Sequence, residues 1–244
     1  MLALVLLAAF ALVCRAQQPA QLPSAPAPQN QSSQTEQEIQ KQEQSQRVLR
    51  VVPMFGVTSR QKAPPLTPGQ KFHLMVKESL DPFQYAAVGL EAGLEQAADE
   101  FPAYGQGAAG YGKRYGATLA DEVSGEFFGS FLYPVLFKQD PRYFRLGQGS
   151  VKHRIGYALA QEFVCHTDTG GRAFNWSAIL GAVTAGGVSN AYYPSTDRGV
   201  GLTMSRAGIV LAYGSVGSVF DEFWPDIERM VFRKKQATPT PRKD

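Results

Sequence analysis

Past residue 66 the chain alternates apolar runs at helical spacing with the punctuation of helix ends. Thr67-Pro68-Gly69-Gln70 sets a capping hydroxyl, a proline at the first helical position and a glutamine at the third, the pattern of a capping box. Asp81-Pro82-Phe83-Gln84 repeats the device, Asp140-Pro141 repeats it in part, and Ser150 and Asn175 are further N-caps. The predicted helices cover residues 68–79, 82–98, 107–137 with a kink or break at Pro134, 151–166, 176–192, and one or two over 198–232. Residues 48–58 are β-branched but interrupted by Pro53 and Gly56, which suits an extended segment or a short edge strand. The fold class expected is all-α, a compact bundle of about six helices with seams lined by glycine and alanine.

The seams come from small residues at a spacing of four. Ala108, Gly112, Gly116, Ala120 and Ser124 form one such stripe. Gly181, Ala185 and Ser189 form a second beside Ala182 and Gly186, and Gly208, Ala212, Gly214 and Ser218 continue the theme. Each internal glycine costs a helix about 1 kcal/mol relative to alanine, so several together imply close backbone packing in return. Membrane helices and tight soluble bundles both use this spacing, and it also allows a helix-mediated homo-oligomer. Residues 173–196 carry no charge over about 24 positions, long enough for a hydrocarbon core, but they are mostly small or polar. Residues 207–220 are uncharged over only about 14, and the 107–137 helix holds Asp121, Glu122 and Glu126 within two turns. A folded domain in the periplasm or on a membrane surface is favoured over an integral bundle. No repeated ten-residue strands suggest a transmembrane barrel.

The two ends are of different material. Residues 1–16 (MLALVLLAAFALVCRA) contain an apolar run of about twelve residues, too short to span as a mature helix, followed by small residues suited to signal cleavage after Ala16. No Lys or Arg precedes the run, and lipoprotein processing at Cys14 is the rival reading. Residues 17–47 are Gln, Ser, Pro and Ala with little to bury, a disordered tether. The folding domain is then 48–232, and 233–244 form a basic tail. Export would leave Cys165 as a single unpaired thiol. The net charge of +3 is too small to argue for nucleic acid, and two cysteines exclude a disulfide framework or a four-thiolate zinc site.

Four landmarks go together: residues 110–117 (GYGKRYGA), 139–144 (QDPRYF), 189–194 (SNAYYP) and 222–226 (EFWPD). In combination they resemble those of an uncharacterised family of exported bacterial proteins of acidobacterial type, over roughly residues 66–227. The resemblance implies export and a common fold. That family has no established activity, so it assigns no functional residue.

Candidate chemistry is sparse. Asp168-Thr169-Gly170 matches the short aspartic-protease signature, but His166 and Thr167 precede it, no second triplet occurs, and a helix-to-helix turn is the plainer reading. Cys165 and His166 would be helical neighbours about 100° apart, unable to form a thiol–base bond. His73, His153 and His166 could reach a metal only by long-range convergence, and no HExxH or CxxC pattern supports one. No serine elbow, phosphate loop or dinucleotide fingerprint is present, so no cofactor or metal is expected. The helical projection sets Glu126 near Ala108 and Leu119, apart from Asp121 and Glu122, where a carboxylate must pair with Arg114, Arg142 or Arg145 or carry a raised pKa. The aromatic patches at 133–137, 143–144, 192–193 and 223–224 are either interfacial anchors or core packing. The leading expectation is a non-catalytic cell-envelope protein, periplasmic or membrane-associated, with lipid or an envelope protein as partner. The alternatives are a periplasmic hydrolase using Glu126 or Asp168 with a histidine such as His166, and a binder of lipid or a small molecule in an interhelical cavity.

Overall fold

The computed structural model describes residues 39, 46–48 and 52–233. The chain divides into two units, 1–40 and 41–244, and in the first only Ile39, in a helix, is described. The expected signal segment, nearly all of the tether, and the tail beyond Arg233 lie outside the described residues.

The second unit is all-α with short strand pairs. Strands β1 (Arg47–Val48) and β2 (Val52–Pro53) pair antiparallel, and β3 (Val57–Thr58) pairs in parallel with β4 (Tyr143–Phe144). Helix α1 (Pro68–Ser79) starts on the capping box: Gln70 N donates to Thr67 Oγ1 at 3.3 Å and Thr67 N donates to Gln70 Oε1 at 2.8 Å. Helix α2 (Pro82–Ala97) starts on Asp81, which accepts from Phe83 N at 2.9 Å. A 3₁₀ turn, Pro102–Tyr104, leads to α3 (Gly107–Gly125). The chain continues through a π-helical stretch, Glu126–Leu132, into α4 (Tyr133–Leu136). Helix α5 (Val151–Gln161) is capped by Ser150, β5 (Val164–His166) and β6 (Arg172–Phe174) form an antiparallel hairpin, and α6 (Trp176–Ser189) is capped by Asn175. Helix α7 (Val200–Arg233) carries Pro225 without ending there.

Two boundaries depart from expectation for local reasons. In place of a break at Pro134 the helix passes through a π-helical stretch just upstream, whose widened turn accommodates the proline's missing N–H and its clash with the preceding turn. The helix expected to reach His166 stops at Gln161, because 164–166 find strand partners in 172–174. Asp168 therefore sits in a hairpin turn, closed by Gly170 at φ 84° and by Gly171 N donating to Thr167 Oγ1, instead of a helix-to-helix turn.

Helix α6 is the central element. Its small residues Gly181, Ala182, Ala185, Gly186 and Ser189 are buried. A Cβ on Gly181 would lie 2.6 Å from the Gly129 Cα, and one on Gly186 would lie 2.9 Å from the Thr203 carbonyl oxygen. The seam thus joins α6 to the π stretch on one side and to α7 on the other. The α3 stripe behaves differently. Ala108, Gly112 and Gly116 are exposed, and a Cβ on either glycine would meet nothing within 4 Å. Its inner face is Gly110, Arg114, Ala117 and Thr118. The polar face turns in because it has interior partners. Arg114 is fully buried and donates to the carbonyls of Glu100, Phe101 and Gly105 at 2.5–3.2 Å.

Buried ionic groups tie the elements together. Glu222 of α7 accepts from Tyr143 Oη (2.8 Å), Leu146 N (2.9 Å), Gly147 N (2.8 Å) and Arg154 Nε (2.7 Å), and Arg145 and Arg154 also reach Asp226. Lys71, 1% exposed, donates to the carbonyls of Pro134 and Gln139 and to the Asp168 carboxylate. Several large apolar side chains point the other way. From Val200 to Ile227 every exposed position of α7 is uncharged, including Val200, Met204, Val216 and Phe220, whereas Arg206, Asp221, Glu222 and Asp226 are buried or half-buried.

Candidate functional site: an acidic interhelical cleft

The seams that pack α6 against its neighbours leave a cleft of about 730 Å³ bordered by α2, α3, the π stretch, α6 and α7. Its carboxylates come at helical spacing: Glu91 and Glu95 from α2, Asp121 and Glu122 from α3, Glu126 from the first π turn, and Glu162 from just beyond α5. Apolar wall is supplied by Leu94, Ala182, Ala185, Ile209 and Val210. Residues Glu122 and Glu126 are four apart and therefore neighbours on one face, which corrects the projection that separated them.

Burial dominates the electrostatics. It pushes Glu95 up to about 7, helped by the charges of Glu91 and Glu100. It pushes Glu122 to about 7 with Glu126, Glu91 and Asp121 adding to the shift, and it acts alone on Glu162, also to about 7. Glu126 is raised by burial against an opposing hydrogen bond from Ser130. Glu78 of α1 lies well above the usual carboxylate range through burial and the charges of Glu126, Asp221 and Glu122. Asp121 is also raised by burial, although it accepts hydroxyl hydrogens from Tyr192 (2.5 Å) and Tyr193 (2.6 Å).

None of the arginines expected to neutralise Glu126 does so. Arg114 is spent on backbone carbonyls, Arg142 pairs with Asp140, and Arg145 pairs with Asp226. The Glu126 Oε2 atom is buried with no hydrogen-bond partner among the described residues.

The other candidates are not brought together with it. Asp168 is held by Lys71 (2.8 Å). His166 stacks on Phe144 with ring centroids 3.8 Å apart, and burial lowers its pKa. Cys165 and His166 are successive strand residues and point to opposite faces, and burial pushes the Cys165 thiol up to about 11, so it stays protonated. His73 and His153 are exposed, and no histidine lines the cleft. Among the described residues no group of three or more His, Cys, Asp or Glu is arranged to hold a metal ion. The aromatic pairs 143–144 and 192–193 serve the interior, through the bonds to Glu222 and Asp121. Sequence reasoning missed Glu91, Glu95 and Glu162. The i, i+4 pair 91/95 was readable as one helix face, but whether that face meets solvent or a cleft depends on the packing of other helices.

The chain matches no family profile, no characterised protein and no solved structure.

Proposed function

We propose that the protein is a non-catalytic, exported component of the cell envelope, held against a membrane by the apolar outer faces of its helices. The observation that carries this reading is the outer face of α7, which exposes no charged residue from Val200 to Ile227, about 40 Å at 1.5 Å per residue. Exposed Leu90 on α2, Val123 and Phe127 along α3 and the π stretch, and Ile155 and Leu159 on α5 extend the apolar surface. Apolar surface of this extent marks lipid or protein contact. No described helix is long and apolar enough to cross a membrane, and the reading is of association along a surface. The leader-like residues 1–16, the Gln- and Pro-rich 17–47 and the four landmarks support export.

Flotation with phosphatidylethanolamine–phosphatidylglycerol vesicles, together with carbonate washing of cell membranes, tests the proposal. The chain should float with the vesicles and resist the wash. Placing lysines at Val200 and Val216 should lower the bound fraction roughly tenfold, because each charge must leave the apolar contact. Release by carbonate as a monomer indifferent to vesicles would overturn it, as would retention only through a protein partner.

A further inference from the structure

The uncharged outer face of α7 ends at Ile227, and the sequence that follows is basic. Residues 228–235 hold one acid, Glu228, against Arg229, Arg233, Lys234 and Lys235. The fold brings a further cation to this end. Arg154 of α5 meets Asp226 at 2.6 Å, while Glu162, just beyond α5, lies within 2.7 Å of where a Cβ on Gly214 would stand. Helices α5 and α7 therefore run antiparallel, and the first turn of α5, with exposed Lys152, lies toward the C-terminal end of α7.

The acids packed here do not neutralise this end. The guanidiniums of Arg145, Arg154 and Arg229 all reach the Asp226 carboxylate, and Arg154 also holds Glu222. Three positive charges thus face two negative ones. Lys152 joins no salt bridge among the described residues. The same two helices carry exposed apolar side chains up to the cations: Val151, Ile155 and Leu159 at a spacing of four on α5, and Phe220, Ile227 and Met230 on α7.

This pairing discriminates between partners. A nucleic acid or acidic polymer would meet the cations and leave the apolar side chains in water. A neutral bilayer would cover the apolar side chains and leave the cations without counter-charge. An anionic bilayer meets both, because long basic side chains lie along apolar contact and reach headgroup phosphates with their charged ends.

Resting on the membrane reading above, we infer that the surface this protein selects is an anionic phospholipid bilayer. Its headgroups are held by Lys152 and the basic run 229–235, and the apolar faces of α5 and α7 lie against it.

Flotation of the full chain on phosphatidylcholine vesicles with and without phosphatidylglycerol tests this. Phosphatidylglycerol should raise the partition coefficient at least tenfold, since each Lys or Arg near an anionic surface is worth roughly fivefold in affinity. Salt at about 1 M, where charges are screened beyond about 3 Å, should remove the gain without removing binding to the neutral vesicles. Lys152→Gln should cut the gain by roughly threefold or more, and the pair Lys234→Gln and Lys235→Gln should cut it further. Lys113→Gln, the same charge change at an exposed position of α3 beside Tyr104, should leave it unchanged. Equal binding to the two vesicle types, a gain that survives salt, or indifference to the glutamine variants at 152, 234 and 235 would each overturn this inference and leave the membrane reading standing. Displacement from the vesicles by millimolar glycerol phosphate would overturn it as well, since a free phosphate would then suffice. Absence of binding to both vesicle types would overturn it together with the membrane reading.

Discussion

Glu126 and Glu222 are both glutamates turned inward, and their surroundings give them opposite characters. Four donors surround Glu222, and they hold its carboxyl below the usual carboxylate range against the cost of burial. Glu126 has a hydroxyl partner in Ser130 and an orphan oxygen, and it is raised. Replacing Glu126 by Gln should therefore raise stability at pH 8, by about 1 kcal/mol, because an unpaired charge leaves the interior while the shape remains. Denaturant melts of the two proteins check this, and a large loss of stability would mean that Glu126 is a structural anchor. The sequence picked out Glu126 as a carboxylate on an apolar face, with Arg114, Arg142 or Arg145 as its expected partner. It placed that face among Ala108 and Leu119, whereas the residue joins Glu122 in the cleft.

At the scale of elements, equal sequence spacing had unequal meaning. The glycines of α6 and α3 both recur at four, but Gly181 presses on the Gly129 backbone and Gly112 faces open space. Gly181→Ala should cost roughly 1–3 kcal/mol as the α6 seam is forced apart. Gly112→Ala should stabilise by roughly 0.5–1 kcal/mol through helix propensity alone. Thermal or denaturant melts of the two variants measure the difference, and equal effects would refute the assignment of the seam. The helix starts at Thr67, Asp81, Ser150 and Asn175 were legible because a cap is a local bond between residues two or three apart. The end of α5 was not, because 164–166 pair with a strand that has no helical signature of its own.

For the whole molecule, polarity is arranged so that carboxylates line the inside and apolar side chains much of the outside. This has a consequence for pH. Glu95, Glu122, Glu162 and Asp221 are all raised to about 7, so the folded chain keeps protons there that the unfolded chain has released. Their stabilising contribution is full below the unfolded value near pH 4.5 and is lost as pH rises through about 7. Asp81, Glu222 and Asp226 are lowered and act in the opposite sense, their contribution being lost as pH falls below about 4. The melting temperature should therefore peak near pH 5, by the same linkage, and decline toward pH 8. The paired substitutions Glu122→Gln and Glu162→Gln should flatten that decline. A profile that rises from pH 5 to pH 8 would contradict the burial of these acids.

The all-α class, the six principal helices and the caps of four of them were written in the sequence, since capping and helical periodicity act over a few residues. The short strands at 52–53 and 57–58 were legible in the same way, from β-branched residues broken by proline and glycine. Which face of each helix is the inner one was decided only by tertiary structure. Arg114 is buried because carbonyls of residues 100–105 surround its guanidinium, and the acids of α2 and α3 share a cleft because α6 packs close enough to enclose them. Burial of a charge depends on partners distant in the chain, and no spacing within one helix carries that information.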